Sequence, residues 1–406
     1  MRAAPTVAPA VAPAAAAAVA PAVAPAVAPG RAEDQRPGSL PPLPGRDPVI
    51  DLVRAGALVV VVAWHWAFTT LRWDDGPKVS NPVGVTPGMW LATWFLQVMP
   101  LFFLVGGALH AGALDRAHAG GAPTATRPPD LTFVTSRYRR LVVPVLPLLG
   151  LAAVAALGAA AIGRTDVVRG VVLMITPLWF LAVYLVLVAV APIARRLHLR
   201  SGLWVPVLGA AVVALVDRAL VLPTRGDIGV LPTLAVYVLT WSVVHQLGFH
   251  LAALRAAPRM WAWVTAAAGF TALAVGAAVG GYPASMVGTH PDPISNLSPP
   301  NLMVVFLAVA QMGSLVVLEP TLRRWCDRHR RLLGTAGAWS MTVYVWHMLA
   351  LAAFWGLVVV LAGPVDATID GSWWAQRPLW MVGPLLFAVP LFALTGPRRT
   401  PTDRAR

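Results

Sequence analysis

The chain has 406 residues, 58% of them hydrophobic and only 12% charged, with a mean hydropathy of +0.69, a balance that excludes a string of soluble domains and describes a polytopic membrane protein. Its net charge of +14 does not make it a nucleic-acid binder, because the basic residues form short clusters between apolar runs and not one aromatic-laced face. The single cysteine, Cys326, excludes an intrachain disulfide.

Residues 1–47 are rich in Ala and Pro, and Ala-Val-Ala-Pro recurs in them as far as Pro29. Proline every few residues removes backbone donors and forbids a continuous helix, so this segment is expected to be a disordered, partly polyproline II tail. The same prolines interrupt the unbroken apolar core that a signal peptide needs. From Pro48 onward ten apolar runs approach the ~20 residues that cross a hydrocarbon core. They lie at 49–71, 89–113, 140–162, 170–193, 203–222, 230–252, 260–281, 301–319, 338–362 and 378–396. The fold class expected is therefore an all-α membrane protein of about ten transmembrane helices in one bundle. It is organised as the tail, a membrane domain over 48–396 and a basic C-terminal tail over 397–406.

With the N-terminus placed in the cytoplasm, the segments predicted inside hold 23 of the 31 Lys and Arg, those predicted outside hold 7, and Arg54 lies within a span. This bias predicts that both termini are cytoplasmic. Trp73, Trp90, Trp373 and Trp374 flank the predicted outer ends, where amphipathic rings favour the headgroup zone. Pro100 with Gly106 and Gly107, Pro144 with Pro147, Pro177, and Pro384 with Pro390 each predict a kink or a close helix approach.

The first span carries the chemistry. Asp51-Leu-Val-Arg54 is followed after ten residues by His65. Eleven helical steps return to within about 20° of the starting direction and rise about 16 Å, so the two side chains share one face. Ionisable groups inside a span are functional suspects. Arg54 reads either as a snorkelling arginine beside Asp51 or as an anion anchor near the cytoplasmic mouth of a cavity, since its fork matches phosphate oxygens. His65 reads either as an interhelical hydrogen-bonding group or as a general base, because imidazole titrates near operating pH. Gln97, His110, His245, Gln311 and His347 are further polar groups within spans, and His245 stands in a run that ends at His250. Arg137-Tyr-Arg139-Arg140 opens the third span and suits either membrane anchoring or a polyanion arriving from the cytosol. No zinc HExxH, P-loop, dinucleotide glycine fingerprint or GxSxG elbow occurs in a suitable setting, and no metal site is expected.

Asp51-Leu-Val-Arg54 with His65 resembles the first-helix signature of the acyltransferase 3 family of integral membrane O-acyltransferases. Pro100-Leu-Phe-Phe-Leu-Val-Gly106-Gly107 is similar to that family's second span, although Ser-Gly is common there in place of Gly-Gly. Arg137 to Pro144, Pro177-Leu-Trp179-Phe180-Leu and Tyr344-Val-Trp-His347 resemble further family blocks in the same order. The resemblance implies transfer of an acyl group, expected to be acetyl, from cytoplasmic acyl-CoA to a hydroxyl of a glycan or a glycosylated small molecule such as a secondary metabolite. It implies His65 as the catalytic histidine, Arg54 as its required partner, Arg137 and Arg140 as donor-binding residues, and Trp179, Tyr344 and His347 as cavity residues. No bound cofactor and no nucleic-acid partner are expected; acyl-CoA is the donor substrate, membrane lipid the surroundings, and a bacterial plasma membrane the location. A transporter or flippase of a lipid-linked or glycosidic molecule is the alternative that buried charge on a helical bundle equally suits, and a noncatalytic membrane partner is a third.

Overall fold

The computed structural model describes residues 47–72, 78–119, 128–289, 294–363, 365 and 368–397. Both expected tails lie almost wholly outside the described residues. Among the described residues ten helices are long and apolar enough to cross a membrane: α1 (Pro48–Phe68), α2 (Met89–Ala119), α3 (Pro129–Ala161), α4 (Thr165–Ser201), α5 (Trp204–Val221), α6 (Val230–Ala256), α7 (Arg259–Val279), α8 (Leu302–Arg328), α9 (Arg330–Ala362) and α10 (Arg377–Thr395). Each of the ten expected runs falls on one of them. Besides helices, Thr70–Arg72 and Lys78–Ser80 pair as a short antiparallel hairpin after α1.

Several helices outrun the hydropathy that announced them. Helix α3 begins at Pro129, well before the expected 140, and α8 continues to Arg328, leaving only His329 before α9 starts. Hydropathy marks only the stretch that must be apolar. Arg, Leu and Ala hold a helix beyond it, where polar side chains meet water.

The prolines act as punctuation. Helix α2 breaks at Gln97, and Pro100 sits in the first turn of the new segment Met99–Ala119, where its missing N–H is no loss. Gln97 Oε1 accepts the Met99 N–H at 3.1 Å, and Gln311 Nε2 donates to the Gln97 carbonyl at 2.8 Å, so two polar groups flagged in the sequence repair this break. Pro144 and Pro177 fall in 3₁₀ turns within α3 and α4.

Packing fixes α1 at both ends. At its start Asp47 caps the helix, its Oδ1 accepting the Val49 N–H at 3.0 Å. Arg255 from α6 bridges Asp47 (2.6 Å) and Glu319 of α8 (2.8 Å). At the other end Arg377, only 8% exposed, donates to the Ala67 carbonyl at 3.0 Å and lies 3.8 Å above the Trp373 ring. Helices α2 and α6 cross so closely that a Cβ on Gly107 would collide with the His245 carbonyl, and one on Gly248 with the Leu104 carbonyl.

Candidate active site

Helix α1 delivers His65 toward α9. His65 Nδ1 and His347 Nε2 are 3.0 Å apart. The ring planes differ by 6° and the centroids are 5.3 Å apart, the geometry of two imidazoles meeting edge to edge. His65 is partly accessible, whereas His347 is 1% exposed and stands behind it. The His347 Nδ1 lies 2.8 Å from the Tyr344 carbonyl one helical turn back. Trp66 Nε1 donates to the His347 carbonyl at 3.0 Å, tying α1 to α9 a second time. The Tyr344 hydroxyl donates to the Pro177 carbonyl at 3.1 Å, in the 3₁₀ turn of α4.

Arg54 sits toward the opposite end of α1. Its guanidinium is exposed, 5.8 Å from the centroid of Phe102. Ring contacts run from Phe102 to Phe180 (4.9 Å), to Tyr344 (5.9 Å) and to His347 (6.5 Å), an aromatic chain linking the Arg54 region to the histidine pair. Trp179 joins the same cluster through Phe180 (6.4 Å) and also meets Tyr237 and Trp241. Arg137 lies 3.8 Å over the ring of Phe133, and both it and Arg54 stand near the half-buried Tyr184 and the buried His110. Arg116 and Arg140 stand near Arg137 in turn. Arg140 is exposed and, with Arg139, Ser136, Val143 and Pro144, lines a recess of about 390 Å³. Arg54 is thus grouped with the cations of α3, and His65 with α9.

Sequence reading treated His110 and His245 singly. They form one network: His110 Nδ1 is 2.9 Å from His245 Nε2, and the Tyr184 hydroxyl is 3.1 Å from His110 Nε2. A Cβ at Gly106 would stand 2.9 Å from the Tyr184 ring, so glycine at this position makes room for the Tyr184 side chain. The pairing of His65 with His347, the network on Tyr184 and the clamp by Arg377 carry no signal in the sequence, because each joins side chains from helices far apart in the chain. His250, also flagged, meets the His198 ring at 4.5 Å.

Ten apolar spans with an imidazole pair and a basic cluster at opposite ends of one helix define a helical integral membrane protein with a chemically equipped interior. The chain belongs to the acyltransferase 3 family: the model described as an acyltransferase domain matches residues 47–395, nearly its whole length. No curated protein and no solved structure matches it. Family and fold together make it an acyltransferase embedded in a membrane.

Proposed function

We propose that the protein is an O-acyltransferase that moves an acyl group, acetyl in the simplest case, from acyl-CoA to a hydroxyl of a glycan or a glycosylated small molecule. Both termini, and with them the Arg54, Arg137 and Arg140 cluster, face the cytoplasm of a plasma membrane, where acyl-CoA is supplied. The observation that carries this reading is the placement of a partly accessible His65, backed by the buried His347, on the same helix as an exposed Arg54.

The guanidiniums offer the CoA phosphates charge-assisted hydrogen bonds. Arg54 and His65 are eleven residues apart on α1, about 16 Å of rise, so they serve different parts of one elongated donor. Neutral His65 takes the proton of the acceptor hydroxyl as its oxygen bonds to the thioester carbonyl carbon. The C–S bond then breaks, the acyl group stays on the acceptor oxygen, and His65 returns the proton to the thiolate to give free CoA. A positioned base of this kind contributes roughly 10²- to 10⁴-fold in rate.

The test uses purified full-length protein in lipid nanodiscs with labelled acetyl-CoA and a panel of glycosides. Release of CoA that depends on the glycoside, with label appearing as an ester on it, is the expected result. Movement of the glycoside across a vesicle membrane without CoA release would replace this reading with the transporter one.

A further inference from the structure

We infer that His347 is a positioning residue that holds His65 in a single tautomer, protonated on Nδ1, so that Nε2 is the nitrogen that acts as base. This rests on the reading of His65 as the base, but it is a separate statement about where one proton sits.

The chain of hydrogen bonds leaves little freedom. A backbone carbonyl can only accept, so the 2.8 Å contact between His347 Nδ1 and the Tyr344 oxygen requires a proton on that Nδ1. With that ring neutral, its Nε2 carries a lone pair. His65 Nδ1 faces it at 3.0 Å with the rings nearly coplanar, and two lone pairs at that distance would repel. His65 Nδ1 therefore carries a proton, and His65 Nε2 is bare. The competing arrangement, a doubly protonated His347, would place a cation 1% exposed inside the bundle, and among the described residues no carboxylate pairs with either ring.

The second partner of a working imidazole often fixes its tautomer and direction, usually through a carboxylate. Here a neutral imidazole backed by a carbonyl fills that place. It can orient His65, but it supplies no fixed negative charge to hold an imidazolium. A proton taken up at Nε2 then has to pass directly to the departing thiolate, which favours transfer in one ternary complex over a lasting charged intermediate. Trp66, donating to the His347 carbonyl, and Tyr344, anchored on Pro177, keep the pair in register across three helices.

The experiment is ¹⁵N NMR of full-length protein labelled in histidine, with the His65 signals assigned by their loss in His65→Gln. The wild type should show a protonated Nδ1 and an unprotonated Nε2 at His65. A protonated Nε2 with a bare Nδ1 would overturn the inference even if acyl transfer is robust. The inferred tautomer in a protein without acyl transfer would leave it standing and remove the proposed function instead. His347→Ala should give a mixture of His65 tautomers and lower kcat by about 10- to 100-fold with donor KM within a factor of two, whereas His347→Gln, whose Oε1 can accept from His65 Nδ1, should recover most of that loss. Equal loss in both variants, with the wild-type tautomer retained in both, would show that His347 acts only through packing and overturn the inference.

Discussion

A guanidinium near Phe102 and an imidazole hydrogen-bonded to a second imidazole give the two ends of α1 different chemical surroundings. If Arg54 grips phosphate through two parallel hydrogen bonds, charge alone does not replace it. Arg54→Lys should raise the acyl-CoA concentration needed for half-maximal rate by about 10-fold or more, the scale of one charge-assisted hydrogen bond, while the acceptor requirement moves little. Initial rates over a series of donor and acceptor concentrations check this; an unchanged donor dependence would return Arg54 to the role of a snorkelling arginine. The spacing of Arg54 and His65 was legible because both belong to one helix with a known repeat. The partner of His65 was not, because His347 lies 282 residues further along the chain and only packing brings them together. Periodicity relates neighbours on a helix and says nothing of which helix comes to lie beside it.

At the scale of elements, α1 is clamped by Asp47, Arg255 and Glu319 at one end and by Arg377 at the other, which sets the height of Arg54 and His65. The crossing of α2 and α6 brings His110 and His245 together, and it depends on glycine. Gly107→Ala should force the helices apart, cost about 1–3 kcal/mol as overpacking does, and lower the thermal midpoint in detergent. Gly158→Ala in α3, where an added Cβ meets open space, should leave that midpoint unchanged or raise it slightly. Equal effects of the two substitutions would contradict the close crossing. The sequence marked Gly106, Gly107 and Pro100 as a place where a helix bends or packs closely. Which helix it packs against was unreadable, since α6 shows an equally apolar face and its own Gly248 stands without a recognisable motif.

At the scale of the whole molecule the ten spans were the most legible feature, because a hydrocarbon core imposes a length and a composition on each of them. The helical extensions beyond the apolar runs, such as Pro129 to Arg139, were not, since they mix apolar with polar side chains and hold no long apolar run. The bias of 23 basic residues in the segments expected inside against 7 in those expected outside leads us to expect reporters fused after residues 85, 290 and 370 to register outside and one within the Arg323 to Arg331 cluster to register inside. Reversed signals would invert the side from which the donor is supplied. The most direct measurement of the central claim is acceptor-dependent release of CoA by purified, correctly inserted His65→Ala protein beside the wild type. The expected result is a rate lower by 10²-fold or more with donor binding retained, the scale of a lost general base; a near-normal rate in the folded variant would contradict the assignment of His65 as the base.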